Sequence, residues 1–255
     1  MKYQIYTLCL LLIIVYSCNK PKTENTTEPE NLAQVITIDT LQGKSLMGEN
    51  LISPQVNFTE DSIQIKNYKA ALDNYKKDSS SIDNIIWLGR RIAYLGDYKK
   101  AISIFTEGIK LHPNEPRLYR HRGHRYISLR KFDEAINDLS KAAELIEGKE
   151  DIVEQDGIPN RLNQPVSTLH TNIYYHLGLA YYLQNDLVKA EEIFRKCLEA
   201  SKNDDMQVAT RHWLYMILKL QDKDEAAKKI LEPVTPEMNI IENDAYHQLL
   251  LFYKG

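Results

Sequence analysis

The stretch LGRRIAYLGDYKKAISIF, residues 88–105, decides the fold because its pattern of small and large residues recurs at a fixed spacing. The residues that recur are Gly89, Tyr98, Ala101 and Phe105. Their counterparts lie 34 positions later, within RGHRYISLRKFDEAINDL, at Gly123, Phe132, Ala135 and Leu139. Self-similarity at one offset is typical of repeat architectures, in which each unit buries its apolar face against the next. We therefore expect the body of the protein to be a stack of similar units.

Two further copies follow along the chain. The third copy, residues 171–204, begins after an insertion at 150–170 and carries Gly178, Ala190 and Phe194 in the same register. A fourth, weaker copy comes after it. Within each copy, apolar residues at i, i+3, i+4 and i+7 predict one buried helix face, and a small residue lets the second helix approach closely. Each copy is thus predicted to be a helix hairpin.

These copies resemble the tetratricopeptide repeat (TPR), a helix-turn-helix unit that stacks into a superhelix. The resemblance places the repeats at about 82–115, 116–149, 171–204 and 207–240. It implies an all-α fold, an α-α superhelix or TPR solenoid of about four helical hairpins. Amphipathic segments at about 59–77 and 243–253 are expected to form the N-terminal and C-terminal capping helices that a solenoid needs. The repeat domain is accordingly assigned to residues 59–255.

The N-terminus has the pattern of an export signal. Residues 1–17 contain one lysine and an apolar run that is too short to span about 30 Å of hydrocarbon. The sequence VYSC, residues 15–18, resembles the lipobox of bacterial lipoproteins, with Tyr16 standing where that family has a small residue. The resemblance implies that residues 1–17 are a signal peptide and that Cys18 is lipidated. Ordinary signal cleavage and an uncleaved short anchor stay open as alternatives.

The segment that follows is polar and rich in Thr, Asn, Glu and Pro, so we predict that residues 18–58 comprise the lipidated Cys18 and a flexible tether. Asn19 follows the cysteine in place of the aspartate that would indicate retention in an inner membrane. We therefore expect a lipid-anchored protein of the bacterial cell envelope, held in the outer membrane rather than the inner one.

The composition argues against several classes of function. The 255-residue chain has a formal net charge of -3 and lacks the overall basic character that duplex nucleic acid requires, so nucleic acid is not an expected partner. No glycine pattern of the kind that cradles phosphates is present, and no cofactor is predicted. Cys197 is expected to be a buried packing residue. No spacing of nucleophile, base and acid indicates catalysis, so the protein is predicted not to be an enzyme.

In TPR proteins the first helix of each repeat lines the concave face, and this chain would there present a groove that is basic in the middle and aromatic beyond. The groove residues expected to bind a partner are Arg90, Tyr94, Arg117, Arg120, His124, Tyr175 and Tyr182. Arginine makes two-point hydrogen bonds to carboxylates, and tyrosine provides a rigid, amphipathic contact surface. We therefore expect a protein partner or an acidic peptide. The alternative is a solvated helix surface with local ion pairs.

Two features of the second repeat are unusual. Arg122 stands where the first copy has Leu88, at a position that faces the core, and a charge there must find a carboxylate partner. This predicts an organised polar network. His121 and His124, with His176 nearby, have a spacing that could ligate zinc. The flanking arginines oppose a cation, and no metal is predicted.

The insertion at 150–170 is acidic in its first half, and long loops within helical arrays are often functional. It could fold over the basic groove as an internal acidic plug, or bridge two repeats that pack with altered twist. We favour the bridge.

These observations lead to one main functional hypothesis and two alternatives. The main hypothesis is a membrane-anchored TPR scaffold or adaptor that binds a partner protein or acidic peptide in its concave groove. One alternative is a purely structural role in which the repeats self-associate. The other alternative is an enzyme or small-ligand binder with a site between the insertion and the groove. Convergence of Glu154, Asp156, His124 and His176 around one pocket would favour that alternative, and an insertion on the convex side would oppose it.

Overall fold

The computed structural model describes residues 40–53 and 62–255, and this part of the chain consists of ten α-helices and one small β-hairpin. The elements are β1 Leu41–Lys44, β2 Asn50–Ile52, α1 Ile63–Lys77, α2 Ile82–Tyr94, α3 Tyr98–Leu111, α4 Pro116–Ser128, α5 Phe132–Ile146, α6 Leu169–Leu183, α7 Leu187–Ala200, α8 Asp204–Leu220, α9 Asp224–Leu231 and α10 Asp244–Lys254. Helices α2 to α9 form four consecutive hairpins, and each hairpin packs against the next. The predicted all-α superhelix is confirmed.

The turn inside each hairpin has the same backbone conformation in all four repeats. Gly96 closes the first hairpin with a φ of 90°, in the left-handed region that glycine adopts without strain. The other three turns reach that region with Arg130, Asn185 and Asp222, whose φ values lie between 56° and 63°. Asn and Asp tolerate this region better than other side chains do. The turn geometry is therefore set by the fold, even where the glycine is missing.

The small residue of each first helix is required by contact with the second helix. A Cβ atom on Gly89 would lie 2.4 Å from the ring of Phe105, closer than any real Cβ contact. The same holds in the second and third repeats, where a Cβ on Gly123 or Gly178 would lie 2.7 Å from Leu139 or Phe194. The recurring residues that reveal the repeat are thus the residues that let the two helices touch.

Both ends of the solenoid are covered by a helix, as the sequence predicts. Tyr68 and Leu72 of α1 pack against the buried apolar cluster of the first hairpin. At the other end, α10 packs against α8 and α9, and its Leu250 is fully buried together with Val208 and Val234. These helices remove apolar faces that would otherwise be exposed to water.

The tether prediction is wrong for residues 40–53. Strands β1 and β2 pair antiparallel there, and Gly48, with a φ of 81°, lies in the turn. Gln42 is buried, and its side-chain oxygen accepts a hydrogen bond of 3.0 Å from the backbone N–H of Lys99 in the first turn of α3. This bond satisfies one of the donors that a helix N-terminus leaves unpaired. A polar segment is thus ordered by contact with the repeats and not by its own apolar pattern.

The N-terminal predictions lie largely outside the described residues. These are the signal peptide at 1–17, the lipidated Cys18 and the remaining parts of the tether. Among the helices that the structure describes, none is both long enough and apolar enough to cross a membrane.

Candidate functional site

The first helices of three successive hairpins, α2, α4 and α6, contact one another and form one face of the solenoid, here called the groove. The insertion lies across this face. It leaves the body beside α6, where Val153 and Thr168 form a bridge and the N–H of Leu169 donates to the carbonyl of Ile152 over 2.8 Å. Residues 154–157 then contact α6, α4 and α2 in turn. The interpretation of the insertion as a simple bridge is therefore wrong. The insertion folds over the basic groove as an internal acidic plug.

Glu154 anchors the insertion in the middle of the groove. Its buried carboxylate lies 3.2 Å from Nε of Arg120 and 3.1 Å from Nε2 of His121, and it accepts a bond of 2.7 Å from the Asn172 amide. Burial opposes ionisation, but the Arg120 guanidinium and the His121 ring hold the pKa of this carboxyl well below its usual range. Glu154 is therefore a charged side chain bound by the groove.

Two further arginines hold the insertion by its backbone. Nη2 of Arg90 donates to the carbonyl oxygen of Gln155 over 2.7 Å, and Nη1 of Arg91 donates to that of Gly157 over 2.6 Å. Gly157 has no room for a side chain, since a Cβ would lie 1.9 Å from the hydroxyl oxygen of Tyr94. The segment is thus recognised as an extended peptide, through one carboxylate and two carbonyl groups.

The later part of the insertion is fixed to the C-terminal repeats. The amide of Asn160 donates to Oε1 of Glu242, in the loop before α10, over 2.5 Å. The amide of Asn203, the N-cap of α8, donates to the carbonyl of Val166 over 2.7 Å. The insertion therefore extends from α2 of the first hairpin to the loop that precedes the last helix.

A cavity of about 280 Å³ remains between the insertion and the groove. This volume lies just below the usual range for ligand sites in proteins, which begins at about 300 Å³. The polar side chains in its wall are Arg90, Tyr94, Arg120, His121, His124, Arg125, Asp156, Ser167, Asn172 and His176. The cavity brings His124, His176 and Asp156 together. Glu154 is bound to Arg120, which is part of the wall. The insertion lies on the groove side of the solenoid.

The three histidines of the cavity are neutral at physiological pH. Nδ1 of His121 lies 2.8 Å from a guanidinium nitrogen of Arg120, which can only donate, so Nδ1 accepts and Nε2 carries the proton toward Glu154. Burial, followed by the charge of Arg120, lowers the pKa of His121 and of His176 to about 3. Burial and the neighbouring His176 ring, 4.0 Å away between centroids, lower the pKa of His124 well below its usual value.

Two of these rings are close enough to suggest a metal, but a third ligand is not in place. Within residues 40–53 and 62–255, no group of three or more His, Cys, Asp or Glu side chains is arranged to hold a metal ion.

The polar network predicted around Arg122 is confirmed. Its guanidinium makes a paired interaction with Asp138, with both N–O distances at 2.7 Å, and donates to the hydroxyl of Thr106 over 3.0 Å. Through these hydrogen bonds Arg122 of α4 is joined to α5 of its own hairpin and to α3 of the first hairpin, outside the cavity. Arg122 therefore acts in packing the repeats and not in the groove.

Of the seven groove residues expected from the sequence, four lie in the cavity wall: Arg90, Tyr94, Arg120 and His124. The other three lie elsewhere. Arg117 pairs with Glu115 and Asp83, each at 2.8 Å, near the start of α4. The remaining two, Tyr175 and Tyr182, belong to an aromatic cluster with residues of α8 and α10.

Tyr175 and Tyr182 are covered by helices that the sequence did not place near them. The hydroxyl of Tyr175 accepts a bond of 2.6 Å from the Trp213 indole and lies 3.4 Å from the Tyr246 hydroxyl. The ring of Tyr182 packs 5.2 Å from that of Trp213. The basic and aromatic parts of the expected groove are thus two separate places.

Two site residues were missed by reasoning from sequence. Arg91 was missed because its partner, the Gly157 carbonyl, carries no side-chain signal. Arg125 follows His121 by four positions, so the i, i+4 spacing on α4 places both on one helix face and could have identified it.

Comparison with known proteins agrees with this architecture. The family model for the tetratricopeptide repeat matches residues 171–204. BBSome complex member BBS4 from Bos taurus is 30% identical over 141 residues, which are 55% of this chain and 23% of that protein. The chain thus spans less than a quarter of the length of the curated relatives it matches.

Two solved structures resemble the chain in fold. A MamA double mutant aligns with a TM-score of 0.51 at 16% identity, over 75% of this chain and 86% of that one. YrrB, described as a TPR protein with an unusual peptide-binding site, aligns with a TM-score of 0.51 at 15% identity, over 73% and 84% of the two chains. Identities this low show the fold alone.

Proposed function

We propose that this chain, which resembles tetratricopeptide-repeat proteins in fold and matches the repeat model over residues 171–204, is an adaptor that binds an acidic, extended segment of a partner protein in its groove. The observation that carries the proposal is the way the groove binds residues 154–157 of its own chain. Arg120 and Asn172 hold the carboxylate of Glu154, and Arg90 holds the backbone carbonyl of the next residue, Gln155. Charge-assisted bonds of this kind give both affinity and register. A partner segment with the same spacing of groups would use the same contacts.

In this proposal the insertion is an internal competitor. A partner must displace residues 154–157 to reach Arg120, so its apparent affinity is reduced by the fraction of protein in which the insertion is seated. The seated insertion would thus regulate partner binding by occupying the groove, and no other conformational change is needed.

The proposed role is binding and not catalysis. The histidines of the cavity, which would be the natural proton-transfer groups, have pKa values of about 3 at His121 and His176. A base that weak is far from the pKa that efficient proton transfer requires near neutral pH.

We also propose that the adaptor works at a bacterial envelope membrane, through lipid on Cys18. The support is the lipobox-like sequence at residues 15–18.

The proposal is tested with a fluorescent peptide that copies residues 150–160, EDIVEQDGIPN, added to the full-length protein and followed by fluorescence anisotropy. Glu154→Gln in the protein weakens the internal segment, so we expect the peptide to bind this variant more tightly than wild type. The same substitution in the peptide should weaken binding about tenfold or more.

Two protein variants complete the test. Arg120→Met should abolish peptide binding, while Arg195→Met, on the exposed face of α7, should leave it unchanged. Equal binding of the peptide and its Gln form, or full binding by Arg120→Met, would remove the groove from the proposed function.

A further inference from the structure

The cavity under the insertion holds more positive charge than its acidic residues neutralise. Arg120 is paired with Glu154. Arg90 donates to the Gln155 carbonyl and lies 3.4 Å from the Tyr94 hydroxyl, so its partners are neutral.

Arg125 has still fewer partners. Among the described residues its guanidinium makes no hydrogen bond or ion pair, and its nearest aromatic contact is the ring of Tyr98, 5.5 Å from the guanidinium carbon to the ring centre. The side chain is half-buried in the cavity wall. Burial and the charge of Arg120 lower the pKa of Arg125 to about 10, so the group is still charged near neutral pH. An uncompensated charge in such a place is costly, and an anion would offset the cost.

An acceptor in the same wall also lacks a partner. Asp156 belongs to the insertion, and its Oδ2 is buried without a hydrogen-bond partner among the described residues. A buried acceptor left unpaired costs free energy that a ligand donor would recover. The cavity thus offers an unpaired cation and an unpaired acceptor, both in its wall.

We propose that this cavity binds a small carboxylate that carries a hydroxyl or amino group, a hydroxy acid or an amino acid. The carboxylate contacts Arg125 and Arg90, and the hydroxyl or amino group donates to Asp156. The planar guanidinium fork matches a carboxylate in two-point geometry. A single carboxylate suits a wall that contains the carboxylate of Asp156 and whose Arg120 is already paired with Glu154, whereas a doubly charged phosphate would be repelled more strongly.

Two neutral histidine rings favour the same class of ligand. His124 and His176 are uncharged and can offer a ring nitrogen to the ligand without adding charge, whereas both nitrogens of His121 already face Arg120 and Glu154. The volume of about 280 Å³ limits the ligand to a small molecule. This inference does not depend on the proposed peptide binding, because the small ligand needs the insertion in place and the peptide needs it displaced.

The test measures binding of lactate, L-serine and L-glutamate to the full-length protein by calorimetry and by the shift of its thermal midpoint, at constant ionic strength. Acetate and inorganic phosphate serve as comparison probes. We expect at least one of the three test carboxylates to bind, more tightly than either comparison probe, and to raise the midpoint.

Three variants identify the contacts. Arg125→Met should weaken carboxylate binding about tenfold or more, and it should raise the midpoint of the unliganded protein because an unpaired charge is removed. Arg125→Lys keeps the charge without the fork and should bind with intermediate affinity. Asp156→Asn should weaken L-serine or lactate binding but leave acetate unchanged.

The outcomes separate this inference from the proposed function. Glu154→Gln loosens the insertion, so it should weaken small-carboxylate binding while it strengthens peptide binding. The inference is overturned if none of the three carboxylates binds, if phosphate binds as tightly as they do, or if Arg125→Met binds like Arg195→Met, the control on α7.

Discussion

Asp138 and Arg122 are joined by two parallel hydrogen bonds, from Nε to Oδ2 and from Nη2 to Oδ1, each 2.7 Å long. Both side chains are largely shielded from water, and the first repeat has Leu88 at the position of Arg122. An ion pair here replaces what would otherwise be an apolar contact between α4 and α5, the two helices of the second hairpin.

Removing one partner of this pair should cost more than removing both. Asp138→Ala leaves the Arg122 charge uncompensated and should lower the free energy of unfolding by about 3 kcal/mol, measured in urea. The double variant Arg122→Leu, Asp138→Leu should lie within about 1 kcal/mol of wild type, since paired buried charges are often replaced at little cost. A double variant as unstable as the single one would contradict this account of the pair.

Gly89 should not tolerate even one methyl group. In Gly89→Ala the new Cβ overlaps the Phe105 ring, and we expect a net loss of about 1 to 2 kcal/mol in urea unfolding, after the better helix propensity of alanine is included. Gly43→Ala is the control, because its Cβ would meet neighbours only at 3.8 Å or more. Equal effects at the two glycines would show that helix contact is not the cause.

The protein should lose stability when it is acidified from neutral pH. The pKa values of His121 and His176 are lowered to about 3 by burial, so these rings stay neutral in the folded protein while the unfolded chain takes up protons below about pH 6.5. Stability from this source is complete above that pH and is lost as the pH falls toward 3, by up to about 1.4 kcal/mol per pH unit for each ring.

Urea titrations at about pH 7.5 and about pH 5.5 measure this loss, in a range where carboxylates with lowered pKa values do not yet titrate. His176→Phe should lose less stability than wild type between these two pH values, because its unfolded chain takes up one proton fewer. Arg195→Met, a surface substitution on α7 that removes no imidazole, should show the full loss. The assignment fails if this control reduces the pH dependence as much as His176→Phe does.

A methyl group on Gly157 should release the insertion without unfolding the repeats. The Cβ would collide with the hydroxyl of Tyr94, so Gly157→Ala should speed amide hydrogen exchange in residues 152–158 and leave exchange in α4 and α7 unchanged. Adding Tyr94→Leu should restore slow exchange in part, by making room. Unchanged exchange in Gly157→Ala would mean that the insertion is not held at this point.

Cys18 should carry lipid. In a bacterial host, labelling with a radioactive fatty acid should mark the wild-type chain and not Cys18→Ala, and the variant should leave the membrane fraction. Cys197→Ala is the control, because this buried thiol has a pKa raised by burial to about 11 and is unreactive. Equal labelling of all three chains would exclude the anchor.

The sequence revealed what depends on local periodicity. Gly89, Phe105 and their counterparts mark the hairpins because the same contact is repeated, and Arg122 revealed a network because it breaks that pattern. The path of Glu154 and the order of residues 40–53 were missed. Both segments are held by contacts between residues far apart in the chain. These contacts are made by backbone carbonyls and by the buried Gln42, which a periodic sequence pattern does not reveal.

The aromatic half of the groove was misjudged for a related reason. Tyr175 and Tyr182 occupy groove-lining positions, but the extra residues after the fourth hairpin bring Tyr246 of α10 against the first of them. The repeat register predicts contacts between repeats only. It cannot predict which groove residues are covered by a segment outside the repeats, such as α10.

The insertion also changes how the solenoid should lose its structure. A simple helical array behaves as a chain of nearest neighbours, so its ends fray and its middle melts step by step. Here Arg91 in the first hairpin and Glu242 beside the last helix are both tied to one loop, which raises the mean sequence separation of contacts. Because the loop links the first hairpin to the last helix, we expect the hairpins to unfold together, in one cooperative transition, under heat or mechanical load.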